Sequence, residues 1–183
     1  MAWMRSDSDR ETFFRLLSPN HEDVILDVGA GKGLVAKRVL SLGAGEVHAL
    51  EPDQKRVEAM KREMPELKSY ASGAEHLPFP DSFFTKVYTT MAVHHFSSLD
   101  DALVEIARVL KPGGLLLILD VDPSYGRGKI LHFFENGVLR RHHLFLEQGR
   151  LAEKLVAAGE FEVTDSVRGS TGYFILCTRK KRA

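Results

Sequence analysis

The apolar run Val24-Ile25-Leu26 leads directly into Asp27-Val28-Gly29-Ala30-Gly31-Lys32-Gly33, and that junction limits the fold more than any other stretch of the chain. A β-type run, alternating glycines and then helical periodicity read as strand, tight turn and helix. Glycine accepts positive φ and lets the backbone approach a ligand that a Cβ would hold off. The helix behind the turn brings unpaired N–H groups and a positive dipole end to the same point. The unit is the opening of an α/β fold, and its turn is either a cofactor cradle or a loop without a ligand. The glycines fall at 29, 31 and 33, whereas a dinucleotide turn reads G-x-G-x-x-G, with its third glycine one turn into the helix. That spacing argues against a nicotinamide-dependent dehydrogenase.

The alternation continues along the chain. A weakly helical segment from about Asp9 to Leu17 stops at Ser18-Pro19. Beyond the glycine turn, Leu34, Val35, Val39 and Leu40 share one helical face up to Gly43. Val47 to Glu51 is a short strand ending in an acid. Pro52-Asp53 opens a helix carrying Val57, Met60 and Met64, and Pro65 stops it. Further strands are expected near residues 67–71 and 85–90. Ser98-Leu99-Asp100-Asp101 has the form of a capping box, and Leu99, Leu103, Ile106 and Leu110 line one face of the helix it starts. Lys111-Pro112-Gly113-Gly114 should end that helix and turn into a strand at 115–119. This strand is apolar without alternation, as expected where helices cover both sheet faces. A helix near 149–158 then precedes Phe161 to Val167 and Tyr173 to Thr178, which flank Gly169-Ser170-Thr171-Gly172 as an antiparallel hairpin. Strands alternating with helices imply a mainly parallel sheet with right-handed crossovers. Ligands of such sheets sit beyond the carboxyl ends of the strands, where Gly29, Glu51, Thr90 and Asp120 all fall.

At 183 residues, 44% hydrophobic and with 25 charges of each sign, the chain suits one domain and carries no global field favouring nucleic acid or membrane. Cys177 is the single cysteine, so neither an intrachain disulfide nor a thiolate metal cluster is expected. No apolar run suits a signal peptide or a membrane span, and a cytoplasmic location is the expectation. Arg179-Lys180-Lys181-Arg182 reads as a solvated basic tail.

Four segments, in order, carry a resemblance: DVGAGKG, VHALEPD, AEHLPFPDSF followed by HHF, and EIARVLKPGG. Through them, over residues 24–120, the chain resembles the class I S-adenosylmethionine (SAM) dependent methyltransferases, most closely the compact branch that includes the quinone-biosynthesis, UbiE-like enzymes. The resemblance implies an α/β, Rossmann-like, seven-stranded and mainly parallel sheet with helices on both faces and a C-terminal antiparallel hairpin. It implies one domain over 1–183, with a cofactor half at 24–120 and a substrate-side segment plus hairpin at 121–183. The implied cofactor is SAM. Asp27 and the backbone of Gly29 and Gly31 would hold its methionine end, with Ala30 and Gly33 also among the cofactor-binding residues, and Glu51 would accept from both ribose hydroxyls, a vicinal diol offering two donors to a carboxylate's paired acceptors. Pro52 would lie against the adenine, Gly73, Ala74 and Glu75 would flank it, and Thr90 and Met91 would line the site near the sulfonium. Two positions depart from the family's habit. The aspartate usual before the alanine is Gly73, and the one usual after the phenylalanine at 84 is Thr85. The second loss is expected to be structural. The first should weaken adenine recognition or pass it to backbone groups and Glu75.

Methyl transfer from a sulfonium is an in-line displacement, which asks an enzyme to align a nucleophile and exclude water. A base is optional. For a phenol, enol or amine acceptor, His94 or His95 is the candidate proton acceptor, with loop anchoring as the alternative role for His95. His132, His142 and His143, near Glu135 and Glu147, match no ligand spacing, so no metal is expected. Thr90-Met91-Ala92-Val93 stands where an Asp/Asn-Pro-Pro-aromatic motif would mark methylation of amide or exocyclic adenine nitrogens. Ile130, Leu131, Phe133, Phe134, Leu139, Leu144 and Phe145 either cover the pocket or pack as a helix on the sheet. A cover favours a small, partly apolar acceptor. The alternatives are a tRNA, rRNA or protein acceptor, suggested by Arg140-Arg141 and the basic tail, and a SAM-binding subunit with no activity of its own.

Overall fold

The structure, a computed structural model, describes residues 6–124, 145–170 and 172–181. The expected cover from Ile130 to Leu144, with His132, Arg140, Arg141, His142 and His143, lies outside the described residues, as do Thr171 and Arg182. Helix α1 (Asp7–Leu17) precedes β1 (Val24–Val28), α2 (Leu34–Ser41), β2 (Glu46–Glu51), α3 (Gln54–Glu63), β3 (Lys68–Ala71) and β4 (Phe84–Thr90). A 3-10 turn (Val93–His95) leads to α4 (Leu99–Val109) and β5 (Leu110–Val121). Then come α5 (Gln148–Ala157), β6 (Phe161–Arg168) and β7 (Gly172–Arg179).

Among the described residues these strands form one seven-stranded sheet in the order β3-β2-β1-β4-β5-β7-β6. Strands β1 to β5 are mutually parallel, and β7 runs antiparallel to both β5 and β6. Both the parallel sheet and the terminal hairpin stand as the sequence implies. Phe13, Val35, Val39, Val57 and Met60 of α1, α2 and α3 bury against one face of the sheet. Leu99, Leu103 and Ile106 of α4 and Leu151 and Leu155 of α5 bury against the other. Covered on both sides, β5 needs no polar alternation, and Leu116, Leu117, Ile118 and Leu119 are all buried. None of the described helices is long and apolar enough to cross a membrane.

Three elements differ from expectation. Helix α1 begins two residues before Asp9, because Ser6 caps it by accepting the Asp9 N–H at 3.3 Å. Leu110 is not helical: the chain turns extended there and β5 starts five residues before Leu115. Between the pairs Phe84–Leu110 and Lys86–Leu115, β4 advances two residues while β5 advances five, so Lys111-Pro112-Gly113-Gly114 bulges out of a continuing strand. Arg179 on β7 holds that bulge by donating to the Leu110 carbonyl. Thr85 proves structural, its hydroxyl accepting from Val24 N at 3.1 Å and donating to Asp23 Oδ1 at 2.8 Å. That ties the start of β4 to the start of β1.

Candidate cofactor cavity

The chain adds β2 and β3 on one side of β1, then crosses back to place β4 on the other. A crevice opens at such a reversal, beyond the carboxyl ends of the strands. Here it is a cavity of about 480 Å³. Gly29 and Gly31 after β1, Glu51 and Pro52 at the end of β2, residues 72–75 after β3, and Thr90, Met91 and Ala92 at the end of β4 line it, together with His95, Phe96 and Ser97. Its volume suits a small-molecule ligand.

Two backbone details shape the floor. Gly29 has φ of 81°, and a Cβ there would lie 2.5 Å from the Ala92 side chain, so only glycine lets the turns after β1 and β4 meet. Met91 is left-handed with φ of 55°, held by its N–H to the Leu119 carbonyl at 2.7 Å. A methionine in that conformation is strained, and the strain sits on the cavity wall.

Glu51 is buried and fully engaged. Its Oε2 accepts from Gly31 N at 2.9 Å, and its Oε1 accepts from Asp53 N and Arg56 Nη1, each at 3.3 Å. Oε1 is thereby filled, and Oε2 keeps a lone pair for a further donor. Asp53 caps α3 by accepting from Lys55 N and Arg56 N, which sets Arg56 in the first turn with its guanidinium at the cavity. The amides of Gly29 and Ala30 both donate to the Leu50 carbonyl at 2.9 Å. The glycine turn therefore offers the cavity its Cα surface rather than free N–H groups.

Of the residues expected to surround a cofactor, the structure brings Gly29, Gly31, Glu51, Pro52, Gly73, Ala74, Glu75, Thr90 and Met91 together. Asp27, Ala30 and Gly33 lie off the cavity wall. Ala30 is core, and Gly33 caps α2 where a Cβ would come 2.7 Å from Met60 Sδ. That glycine serves the packing of α2 on α3. Asp27 is wholly buried behind the turn, and neither carboxyl oxygen has a partner among the described residues. Burial raises its pKa to about 7, opposed by the nearby Tyr88 hydroxyl and assisted by the Glu51 charge.

The two histidines part company. His94 is buried, its Nδ1 2.6 Å from Asp120 Oδ1, its backbone N–H on Asp120 Oδ2 at 3.1 Å, and its ring stacked on Phe145 at 4.7 Å. A carboxylate only accepts, so this pair places the ring proton of a neutral His94 on Nδ1. His95 is exposed and on the cavity wall, while His94 ties the turn to Asp120. Arg56, Ser72, Phe96 and Ser97 also line the cavity and were not foreseen. For Arg56 the available signal was its position three residues after the helix cap Asp53, on the turn that faces the preceding acid.

The family model described as methyltransferase domain matches residues 26–118. A ubiquinone/menaquinone biosynthesis C-methyltransferase from Neisseria meningitidis is 34% identical over 109 residues, covering 56% of this chain and 44% of that protein. A malonyl-[acyl-carrier protein] O-methyltransferase from Halorhodospira halophila is 27% identical over 143 residues, covering 76% of this chain and 48% of the other. The chain thus spans about half the length of the curated relatives it matches, or less. Among solved structures, a methyltransferase in complex with the Haloferax volcanii Trm112 activator superposes with a TM-score of 0.80 at 16% identity, covering 94% of this chain and 89% of the other. A likeness at that identity concerns the fold.

Proposed function

The chain belongs to the methyltransferase domain family, in its class I, SAM-dependent form, and on that premise we propose that it transfers a methyl group to a small, partly apolar acceptor. The residues of the cavity fit the cofactor. Glu51 keeps a lone pair on Oε2 toward a diol, Gly29 lets the turns after β1 and β4 meet at the cavity floor, and the Asp27 carboxyl beneath the turn, unpartnered among the described residues, complements an ammonium group. When bound, SAM supplies a methyl group on a sulfonium leaving group.

The chain's own part is positioning. Glu51, held by Gly31, Asp53 and Arg56, would receive one ribose hydroxyl on Oε2 as it stands and the other on Oε1 as the long Asp53 or Arg56 contact gives way. Pro52 and Ala74 would flank the base, while Thr90 and Met91 would line the reacting end. His95 would take the acceptor's proton where the acceptor carries one, and His94 would hold the turn in place through Asp120. Residues 24–120 serve as the cofactor half in this reading.

The observation that carries the acceptor class is the wall beyond Thr90. Met91, Phe96 and His95 line it, and Phe145 packs on the His94 ring, bringing the chain back over the strand ends. Relatives named for ubiquinone/menaquinone biosynthesis and for a malonyl group on acyl-carrier protein lend this reading support. A second reading, an RNA or protein acceptor served with a partner chain, draws on the fold shared with the Trm112-bound enzyme.

The test is methyl transfer from tritiated SAM into cell extract separated into small-molecule, RNA and protein fractions, with Glu51→Ala as control. Label in the small-molecule fraction supports the proposal, and label in RNA or protein replaces it with the second reading. No label, with SAM binding intact, leaves a SAM-binding subunit without activity of its own.

A further inference from the structure

Glu75 divides its carboxylate. Oε1 accepts from Ser97 N at 2.6 Å and from Ser98 N at 3.1 Å, which uses both of that oxygen's lone pairs. No hydrogen bond among the described residues reaches Oε2. A Cβ built on Gly73 would lie 2.8 Å from Oε2 and would meet nothing else within 4 Å. This oxygen is what a side chain at position 73 would collide with, and both residues line the cavity.

We infer that Glu75 Oε2 accepts the exocyclic amino group of the cofactor's adenine, and that position 73 is glycine to leave this oxygen its place. The inference rests on reading the cavity as the SAM site, with the ribose at Glu51 and the base beside residues 73–75. An amino group needs an acceptor, and a carboxylate oxygen is the strongest that a side chain offers. The anchor on Ser97 and Ser98 fixes the side chain beforehand, so little rotamer freedom is lost on binding. The same oxygen repels any purine presenting a carbonyl at that edge, which makes Glu75 a specificity-determining residue. The missing acid at 73 is then a relocation of the acceptor along the same loop.

The experiment is calorimetric binding of S-adenosylhomocysteine and of its 6-deamino purine analogue, which lacks only the amino group. Wild type, Glu75→Gln and Gly73→Ala are compared. Wild type should prefer the amino-bearing compound by about tenfold to a hundredfold, the worth of one charged hydrogen bond. In Glu75→Gln the side-chain oxygen can keep Ser97 and Ser98 while the amide NH2 meets the adenine donor to donor, so the preference should vanish. In Gly73→Ala the new methyl displaces Oε2, the end of a flexible side chain, and the preference should shrink with folding intact. Equal binding of both compounds by wild type overturns the inference, as does a preference that survives in both variants. If wild type binds neither compound, the SAM reading falls and takes the inference with it, a result distinct from an equal ratio.

Discussion

Asp27 and Glu51 sit at the ends of neighbouring strands and do opposite things. Glu51 has donors bonded to both oxygens, whereas among the described residues no hydrogen bond reaches either oxygen of Asp27. The rise of the Asp27 pKa from 3.8 to about 7 corresponds to about 4 kcal/mol of preference for the neutral form in the folded state. The folded chain keeps a proton that the unfolded chain releases, so stability falls as pH rises from about 4 to about 7 and is flat above. Asp27→Asn should remove that slope. Urea unfolding at several pH values should show the variant gaining on wild type through this window, by up to about 4 kcal/mol at its top. Parallel pH curves would place the titration elsewhere. Glu51→Ala should weaken SAM binding by about 1.5–3 kcal/mol by calorimetry, the scale of a charged acceptor lost to a diol. A change below about 0.5 kcal/mol would remove Glu51 from the ribose site.

At the scale of elements, the glycine turn divides its glycines between two roles. Gly29 admits close approach at the cavity, while Gly33 joins α2 to α3 through Met60. Gly33→Ala should cost about 1–3 kcal/mol in unfolding experiments, from its φ of 72° and the crowded sulfur, with SAM affinity of the folded protein unchanged. A fall in affinity without loss of stability would return Gly33 to the cofactor. The placement of Glu51, Pro52, Gly29 and Gly31 at the cavity was legible in the sequence because local spacing fixes where a strand ends and which residue follows it. Ser98 was legible as a cap for the same reason, and it accepts from Asp101 N as the motif requires. The reciprocal bond was not legible, since Glu75, twenty-three positions away, and not Asp101, receives the Ser98 N–H. The early start of β5 was hidden likewise, because Leu110 becomes extended through Phe84 and Arg179 rather than through its own neighbours. The place of Gly33 against Met60, off the cavity wall, was not legible, because a glycine in a packing contact and one at a ligand have the same letter.

Across the whole molecule, α1 is tied to the β6–β7 turn. Asp9 accepts from Ser170 N at 2.8 Å and from the Ser170 hydroxyl at 2.6 Å, spanning 161 positions. Asp9→Ala should cost about 1–3 kcal/mol, the scale of charged hydrogen bonds lost from a buried site. Hydrogen exchange should show faster opening of α1 and of the β6–β7 turn together, and faster exchange in α1 alone would mean the tie carries little. Finally, β7 lies between β5 and β6 although it follows both in the chain. Ribosomes release the chain in sequence order, so β6 emerges with no neighbour to join, and the buried edge of β5 from Leu116 to Leu119 stays open until β7 arrives. The nascent protein thus passes through an interval with the apolar run of β5 half paired. In that interval chaperones, or other nascent chains, compete with β7 for the same edge.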